Sequence, residues 1–174
     1  SKGIFFRRRN KEGREIARFD IQNNSWISPL PANKIPSYMN CCAGIEYFPE
    51  GGGLFWAQGN AGSDIVKGRL MRFNESASAW ETAADNLTMT AYPNWATYNP
   101  VHKVLVFGDN GGFYKVDRNR AVTALQPPPF EFYTGSYYAI FTVDPVSGDY
   151  IALDQPAHNL WKYNALNDQW TQIT

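Results

Sequence analysis

The chain has 174 residues, 44% of them hydrophobic and 16% aromatic, and its sixteen Lys plus Arg are balanced by sixteen Asp plus Glu. A chain this long can bury enough surface to hold one domain together without a metal or disulfide staple, and its aromatic content excludes a disordered chain. Zero formal charge excludes a protein whose main work is neutralising phosphates along a broad basic face, and no apolar run approaches the roughly 20 residues of a membrane-spanning helix.

The opening Ser1-Lys2-Gly3-Ile4 has neither a Met nor a signal-peptide core, so a processed product, a trimmed chain or a piece of something longer is expected. Short stretches rich in Tyr, Phe, Trp, Val and Ile are bounded repeatedly by Gly, Pro, Asn and Asp, the pattern of an all-β chain. In chain order, strands are expected at 3–8, 15–19 and 25–28; at 44–48, 54–58, 69–73 and 79–82; at 95–98, 104–107, 113–116 and 121–125; and at 140–143, 150–153, 160–163 and 169–173.

Three segments share one pattern: a basic residue, an aromatic, Asp or Asn, and Trp six residues later. They are Arg18-Phe19-Asp20 with Trp26, Arg72-Phe73-Asn74 with Trp80, and Lys162-Tyr163-Asn164 with Trp170. Lys115-Val116-Asp117 opens the same way, with Thr123 where the Trp would stand. A second marker precedes each of the last three: Tyr47-Phe48-Pro49, Tyr98-Asn99-Pro100 and Val143-Asp144-Pro145. A four-stranded, helix-free repeat of about 40 to 50 residues is the signature of a β-propeller blade. The expected fold is therefore all-β: a partial β-propeller of four-stranded antiparallel meanders, with an incomplete blade at 1–31 and further blades at 41–85, 94–126 and 139–174. The incomplete blade lacks its innermost strand, so the remainder of a longer chain, another subunit or a swapped strand is expected to complete the ring.

At the aromatic, Asx and Trp positions the chain resembles the kelch family of β-propellers. Where that family ends its second strand in a Gly pair, this sequence reads Gln58-Gly59, Gly108-Asp109 and Asp154-Gln155, which makes it a divergent, kelch-like case. The resemblance implies a propeller that binds partners through its loops, with Trp26, Trp80 and Trp170 packed between blades.

A meander puts the turns joining strands 1 to 2 and 3 to 4 at one end, and the 2 to 3 turns and blade connectors at the other. His102 and His158 then fall at opposite ends, unable to hold one ion or form one catalytic pair. Copper radical oxidases also use kelch-like propellers, but their centre needs two His and two Tyr gathered at one end of the axis. No nucleophile elbow or phosphate-binding loop is present, and Glu50-Gly51-Gly52-Gly53 reads as a turn. No cofactor or metal is expected. Cys41 and Cys42 point to opposite sides of a strand, and a bond between neighbours would be strained, so reduced thiols are expected. A vicinal disulfide, as in propeller quinone-dependent dehydrogenases, and pairing with an outside Cys stay open.

The aromatics entering the innermost strands draw more attention. Tyr92, Trp95, Tyr137 and Tyr138, with Tyr38 and Tyr133 nearby, share an end with Asp109, Asn110, Asp154, Gln155 and Asn159. Flat aromatic faces beside short polar side chains suit a glycan-binding or peptide-binding funnel; filling of blade interfaces is the alternative. Residues 1–20 hold seven basic and three acidic side chains, and Arg7, Arg8, Arg9, Lys11 and Arg14 surround one hairpin. A solvated edge or contact with an acidic partner or subunit explains this cluster better than nucleic acid, because no later repeat carries it. Sequons at Asn23, Asn74 and Asn86 exceed the roughly 1.5 expected by chance and lean toward an extracellular or virion-type setting. The expected function is a non-catalytic binding module for protein or glycan. The alternatives are a structural subunit, and an oxidase or dehydrogenase whose active-site residues lie outside the segment.

Overall fold

The computed structural model describes residues 3–10, 13–27, 43–59, 67–77, 79–89, 94–131, 141–154 and 156–173, with the backbone alone for 3–18 and for Ile27. Every regular element among them is a strand. The first sheet holds β1 (Gly3–Asn10), β2 (Gly13–Asp20) and β3 (Ser25–Ile27). The second holds β4 (Gly44–Phe48), β5 (Gly53–Gln58), β6 (Gly68–Asn74) and β7 (Ala79–Leu87). The third holds β8 (Trp95–Asn99), β9 (Val104–Gly108), β10 (Phe113–Val116) and β11 (Val122–Ala124), and the fourth holds β12 (Phe141–Val143), β13 (Tyr150–Asp154), β14 (Asn159–Asn164) and β15 (Gln169–Gln172). Spatial order follows chain order in each sheet and all neighbours are antiparallel, so each is a meander.

The repeated motif has one mechanical explanation in the first, second and fourth sheets. Its aromatic and its Trp are cross-strand partners: Phe19 opposite Trp26, Phe73 opposite Trp80 and Tyr163 opposite Trp170, with ring centroids 5.2, 5.3 and 4.7 Å apart. Such pairs are the unit of sheet stabilisation. The Asx residue between them caps the turn with its side chain. Asp20 Oδ1 accepts from the Gln22 and Asn23 amides, Asp117 Oδ1 from Asn119 and Ala121, and Asn164 Oδ1 from Leu166 and Asn167. The first-to-second strand turns use the same device: Asn99 Oδ1 accepts from Val101 and His102, and Asp144 Oδ1 from Val146. Asn24, Lys103, Gly148, His158 and Asp168 each stand four residues after an Asx and have positive φ, closing the turn in the left-handed region.

The third sheet departs from the expected alignment in a way the turn explains. Arg120 takes the positive φ three residues after Asp117, so this turn is one residue shorter. Val122, not Thr123, therefore stands opposite Val116 in the position of the Trp. In the second sheet β7 runs to Leu87, beyond the expected end at 82, because register shifts near Leu70 let the strand continue past two irregularities.

Alternation along each strand gives every sheet two faces, and the sheets bury them against one another. One face of the second sheet (Phe48, Phe55, Ala57, Leu70) meets one face of the third (Leu105, Phe107, Tyr114, Val116). The other face of the third (Trp95, Val104, Val106, Phe113) meets the fourth (Phe141, Val143, Tyr150, Tyr163, Trp170). Leu54, Trp56, Met71 and Phe73 form a separate buried cluster on the remaining face of the second sheet. The first strands β4, β8 and β12 lie beside each other where the sheets converge. They approach so closely that a Cβ on Gly44 would stand 2.3 Å from the Trp95 carbonyl carbon.

Trp170 is partly buried between the third and fourth sheets, as expected, whereas Trp80 packs against Leu54, Trp56, Met71 and Phe73 of its own sheet and Trp26 is 60% exposed. The motif pair of a sheet lies on the face turned to the preceding sheet, as Tyr163 and Trp170 show against Phe113. No sheet precedes the first among the described residues, and Trp26 packs on Phe19.

Gly44→Val forces apart the two innermost strands and should cost on the order of 2 kcal/mol or more, read as a lower urea midpoint at unchanged slope. An unchanged midpoint would contradict the close approach of β4 and β8.

Candidate functional site

Of the residues expected to line a binding end, Trp95, Asp109, Asn110, Asp154 and Asn159 lie within the described residues. Tyr38, Tyr92, Tyr133, Tyr137, Tyr138 and Gln155 lie outside them, as do Cys41, Cys42 and Lys11. Arg7, Arg8, Arg9 and Arg14 are placed by their backbone in the β1–β2 hairpin.

Trp95 opens β8 directly opposite Gly108, the last residue of β9, so it stands beside the turn that holds Asp109 and Asn110. Its ring packs on Phe141 at 4.3 Å and Phe113 at 5.3 Å, which fixes it in the interface between the third and fourth sheets. Asp109 is fully buried. Its Oδ1 accepts from the Gly111 and Gly112 amides at 2.6 and 3.1 Å, and its Oδ2 accepts from Asn94 Nδ2 at 2.8 Å. Asn94 Oδ1 in turn accepts from the Gly59 amide at 2.7 Å. This chain of bonds ties the end of β5 to the entry of β8 and the β9–β10 turn, joining two sheets. Asp154 occupies the matching place in the fourth sheet, opposite Asn159, and its Oδ1 accepts from the Ala157 amide. Both aspartates therefore work inward as turn caps, while Asn110 and Asn159 are half-buried and Gly111, Pro156 and His158 are exposed.

At the opposite end, contacts that the sequence did not disclose join the sheets. Tyr98 donates to Glu50 Oε1 at 3.0 Å, Lys103 pairs with the same oxygen at 3.5 Å, and Asn99 Nδ2 donates to the Gly148 carbonyl at 2.7 Å. Burial and the Glu50 carboxylate push the Tyr98 hydroxyl up to about 12. Burial acts to raise Glu50, but hydrogen bonding from Tyr98 and the Lys103 ammonium outweigh it and hold the carboxyl below its usual range. Burial also raises Tyr150 and Tyr163. Tyr163 donates to Asp168 Oδ1, which also accepts from the Gln126 amide, and Trp170 Nε1 donates back to the Gln126 carbonyl. The start of the third connector is thus clasped to the fourth sheet, with Phe130 against Trp161 and Trp170.

His102 sits in the β8–β9 turn against Gly148, and His158 in the β13–β14 turn, so strand direction puts them at opposite ends of their sheets. Among the described residues no group of three or more His, Cys, Asp or Glu could hold a metal ion. Asn23 and Asn86 are exposed sequon residues, while the Asn74 amide donates to Glu81.

The two ends differ in loop length. Six residues or fewer join first to second strands and third to fourth strands, whereas 16 residues separate β3 from β4, 16 separate β11 from β12, and nine separate β5 from β6. All the long segments belong to the end that holds Trp95, Asn110 and Asn159.

Neither a family model nor a curated relative matches the sequence. Solved structures do match it across nearly the whole chain. TolB from Acinetobacter baumannii aligns with 99% of this chain at a TM-score of 0.60 and 13% identity. A structure of a nidogen/laminin complex aligns with 99% at 0.59 and 13% identity, and an auxiliary nutrient binding protein from Bacteroides thetaiotaomicron with 98% at 0.57 and 11% identity. The chain spans 41%, 58% and 37% of those three chains. These neighbours and the four meanders show the fold: an all-β chain of β-propeller type.

Asp109→Ala removes the acceptor shared by the buried Asn94 amide and the Gly111 and Gly112 N–H groups, and should cost roughly 2 kcal/mol in denaturant unfolding; a loss below about 0.5 kcal/mol would contradict its role in the tie through Asn94 to the second sheet. Glu50 has a lowered pKa in the folded chain, so its stabilisation is present above the usual carboxylate range and disappears as pH falls through the folded value. Melting temperature should therefore fall more steeply in the wild type than in Glu50→Gln between about pH 6 and pH 3, with parallel profiles the contrary result. The raised Tyr98 pKa works oppositely, losing stability as pH rises from about 10 toward 12, a decline that Tyr98→Phe should flatten.

Proposed function

We propose that the chain is a non-catalytic binding module, part of a larger propeller, that takes a protein or glycan ligand at the end where its blade connectors gather. The observation that carries this reading is the difference in loop length between the two ends. Rigid sheets commonly position function on long loops, and short turns commonly serve only to reverse the chain. Blades at 1–31, 41–85, 94–126 and 139–174, with a kelch-like aromatic, Asx and Trp unit, are the organisation we adopt. Tyr92, Tyr137 and Tyr138 fall in the connectors and are the stacking residues we favour. Trp95 supports them from the interface below, and Asn110 and Asn159 supply amides. Asp109 and Asp154 hold the turns that present those amides. The match to a structure described as a nutrient binding protein, and to one described as a nidogen/laminin complex, accords with a binding role.

A structural role within an assembly is the second reading, favoured by one observation. Leu160, 37% exposed, lies with Ile151 and Leu153 on the face of the fourth sheet turned away from the third. That is the face which, in the second and third sheets, is covered by a following sheet.

The test is binding of the 174-residue chain to immobilised oligosaccharide and peptide panels. The Tyr92→Ala, Tyr137→Ala, Tyr138→Ala triple variant should lose binding by about tenfold or more, since each stacked aromatic contributes on the order of 1 kcal/mol. Changes to exposed Val101 and Val146 at the opposite end should leave it intact. Loss with the valines and retention with the tyrosines would overturn the reading, and failure to bind either panel would favour the assembly role.

A further inference from the structure

We propose that the outer end of the paired strands β1 and β2, where Arg7, Arg8, Arg9 and Arg14 stand, is a docking site for an acidic peptide segment of a protein partner. The inference rests on the proposed binding function only for the end of the propeller at which the partner sits.

Three observations carry it. The first is reach. Taking the motif level as common, the pairing of β1 with β2 runs from Ile4 opposite Phe19 to Asn10 opposite Gly13. The corresponding pairing runs only from Leu54 to Gln58, from Leu105 to Gly108 and from Tyr150 to Asp154 in the later sheets. The pairing of this hairpin thus extends two to three residues, roughly 7–10 Å, beyond that of the other sheets. By the meander rule it does so at the end of the long connectors.

The second is charge. Residues 7–14 hold Arg7, Arg8, Arg9, Lys11 and Arg14 against Glu12 alone, a net of +4, so the rest of the chain carries −4. A long polyanion would have to run from this basic stretch over residues of its own sign, whereas a short acidic segment engages the basic stretch alone. Arginine predominates, and its planar fork suits carboxylates.

The third is register. Arg9 and Arg14 stand directly opposite one another and share one face. Like charges placed so destabilise a hairpin, and a bridging carboxylate relieves the repulsion. At the level of Gln58, Asp109 and Asp154 in the other sheets, the first sheet has Arg8. This sheet has therefore exchanged a neutral or acidic residue for a basic one at that level.

The experiment measures binding of the full chain to a fluorescent peptide alternating Glu and Gly, beside a Gln-for-Glu control, a heparin fragment and a single-stranded oligonucleotide of equal charge. The Glu peptide should bind at least about tenfold more tightly than every other probe and weaken several-fold as salt rises from about 50 to 200 mM. Arg9→Gln with Arg14→Gln should weaken it about tenfold or more. Arg14→Glu replaces a like-charge pair by an opposite-charge pair, so it should abolish peptide binding while raising the melting temperature. A merely structural arginine would lose both. Equal binding of the Gln control, tighter binding of heparin or oligonucleotide, or unchanged affinity in the arginine variants would overturn the inference. Dependence on the arginines but not on Tyr92, Tyr137 and Tyr138 would uphold the hairpin site and remove the connector face. The reverse dependence would do the opposite.

Discussion

An antiparallel sheet with apolar residues on both faces cannot be stable by itself, and this requirement organises the whole molecule. Phe55 and Leu54 are neighbours on one strand, yet both are buried, one toward the third sheet and the other on the opposite face. Val106 and Phe107 repeat the arrangement in β9. Each sheet needs two neighbours, so sheets stack face to face, and their natural twist turns the stack about an axis. The innermost strands are forced together there, which is why Gly44 has no room for a side chain against Trp95. Fully burying one large side chain contributes about 2 to 3 kcal/mol, and each interface gathers several such residues, so packing outweighs the individual polar ties.

The polar ties have a different task. Non-directional packing leaves two sheets free to slide, whereas the bonds from the Gly59 amide to Asn94, from Asn99 to the Gly148 carbonyl and from Tyr98 to Glu50 set how far one sheet is advanced on the next. Turn capping sets the length of each strand in the same way. The Asx residues at these turns are committed to backbone amides, so under the proposed binding function the contacts to a ligand fall to the residues beside them and to the connectors.

Much of this was legible in the residues. The aromatic, Asx and Trp spacing locates the third-to-fourth strand hairpins because cross-strand pairing and turn capping both act within eight residues. Local physics leaves a local pattern. Strands such as β4 and β10 coincide with the expected 44–48 and 113–116 for the same reason. The shortened turn after Asp117 was missed because deletion of one residue leaves the Asx signal intact while shifting every later residue to the other face. The tie from the Gly59 amide to Asn94 and the clasp of Gln126 on Asp168 join residues from different sheets. Their positions are set by how the sheets twist past one another, which no spacing within one repeat encodes. Trp26 has the same sequence context as Trp80 and Trp170, yet its burial depends on a neighbouring sheet rather than on its own.

Shared burial of both faces can be tested most directly by native-state amide hydrogen exchange along the chain. Strands β5 and β9, each covered on two sides, should exchange slowest and with similar free energies, as one cooperative unit. Strand β14, with Leu160 on an open face, should exchange faster than either. Slowest exchange in β14, or sheets that open independently with unrelated free energies, would contradict the mutual support of the stacked sheets.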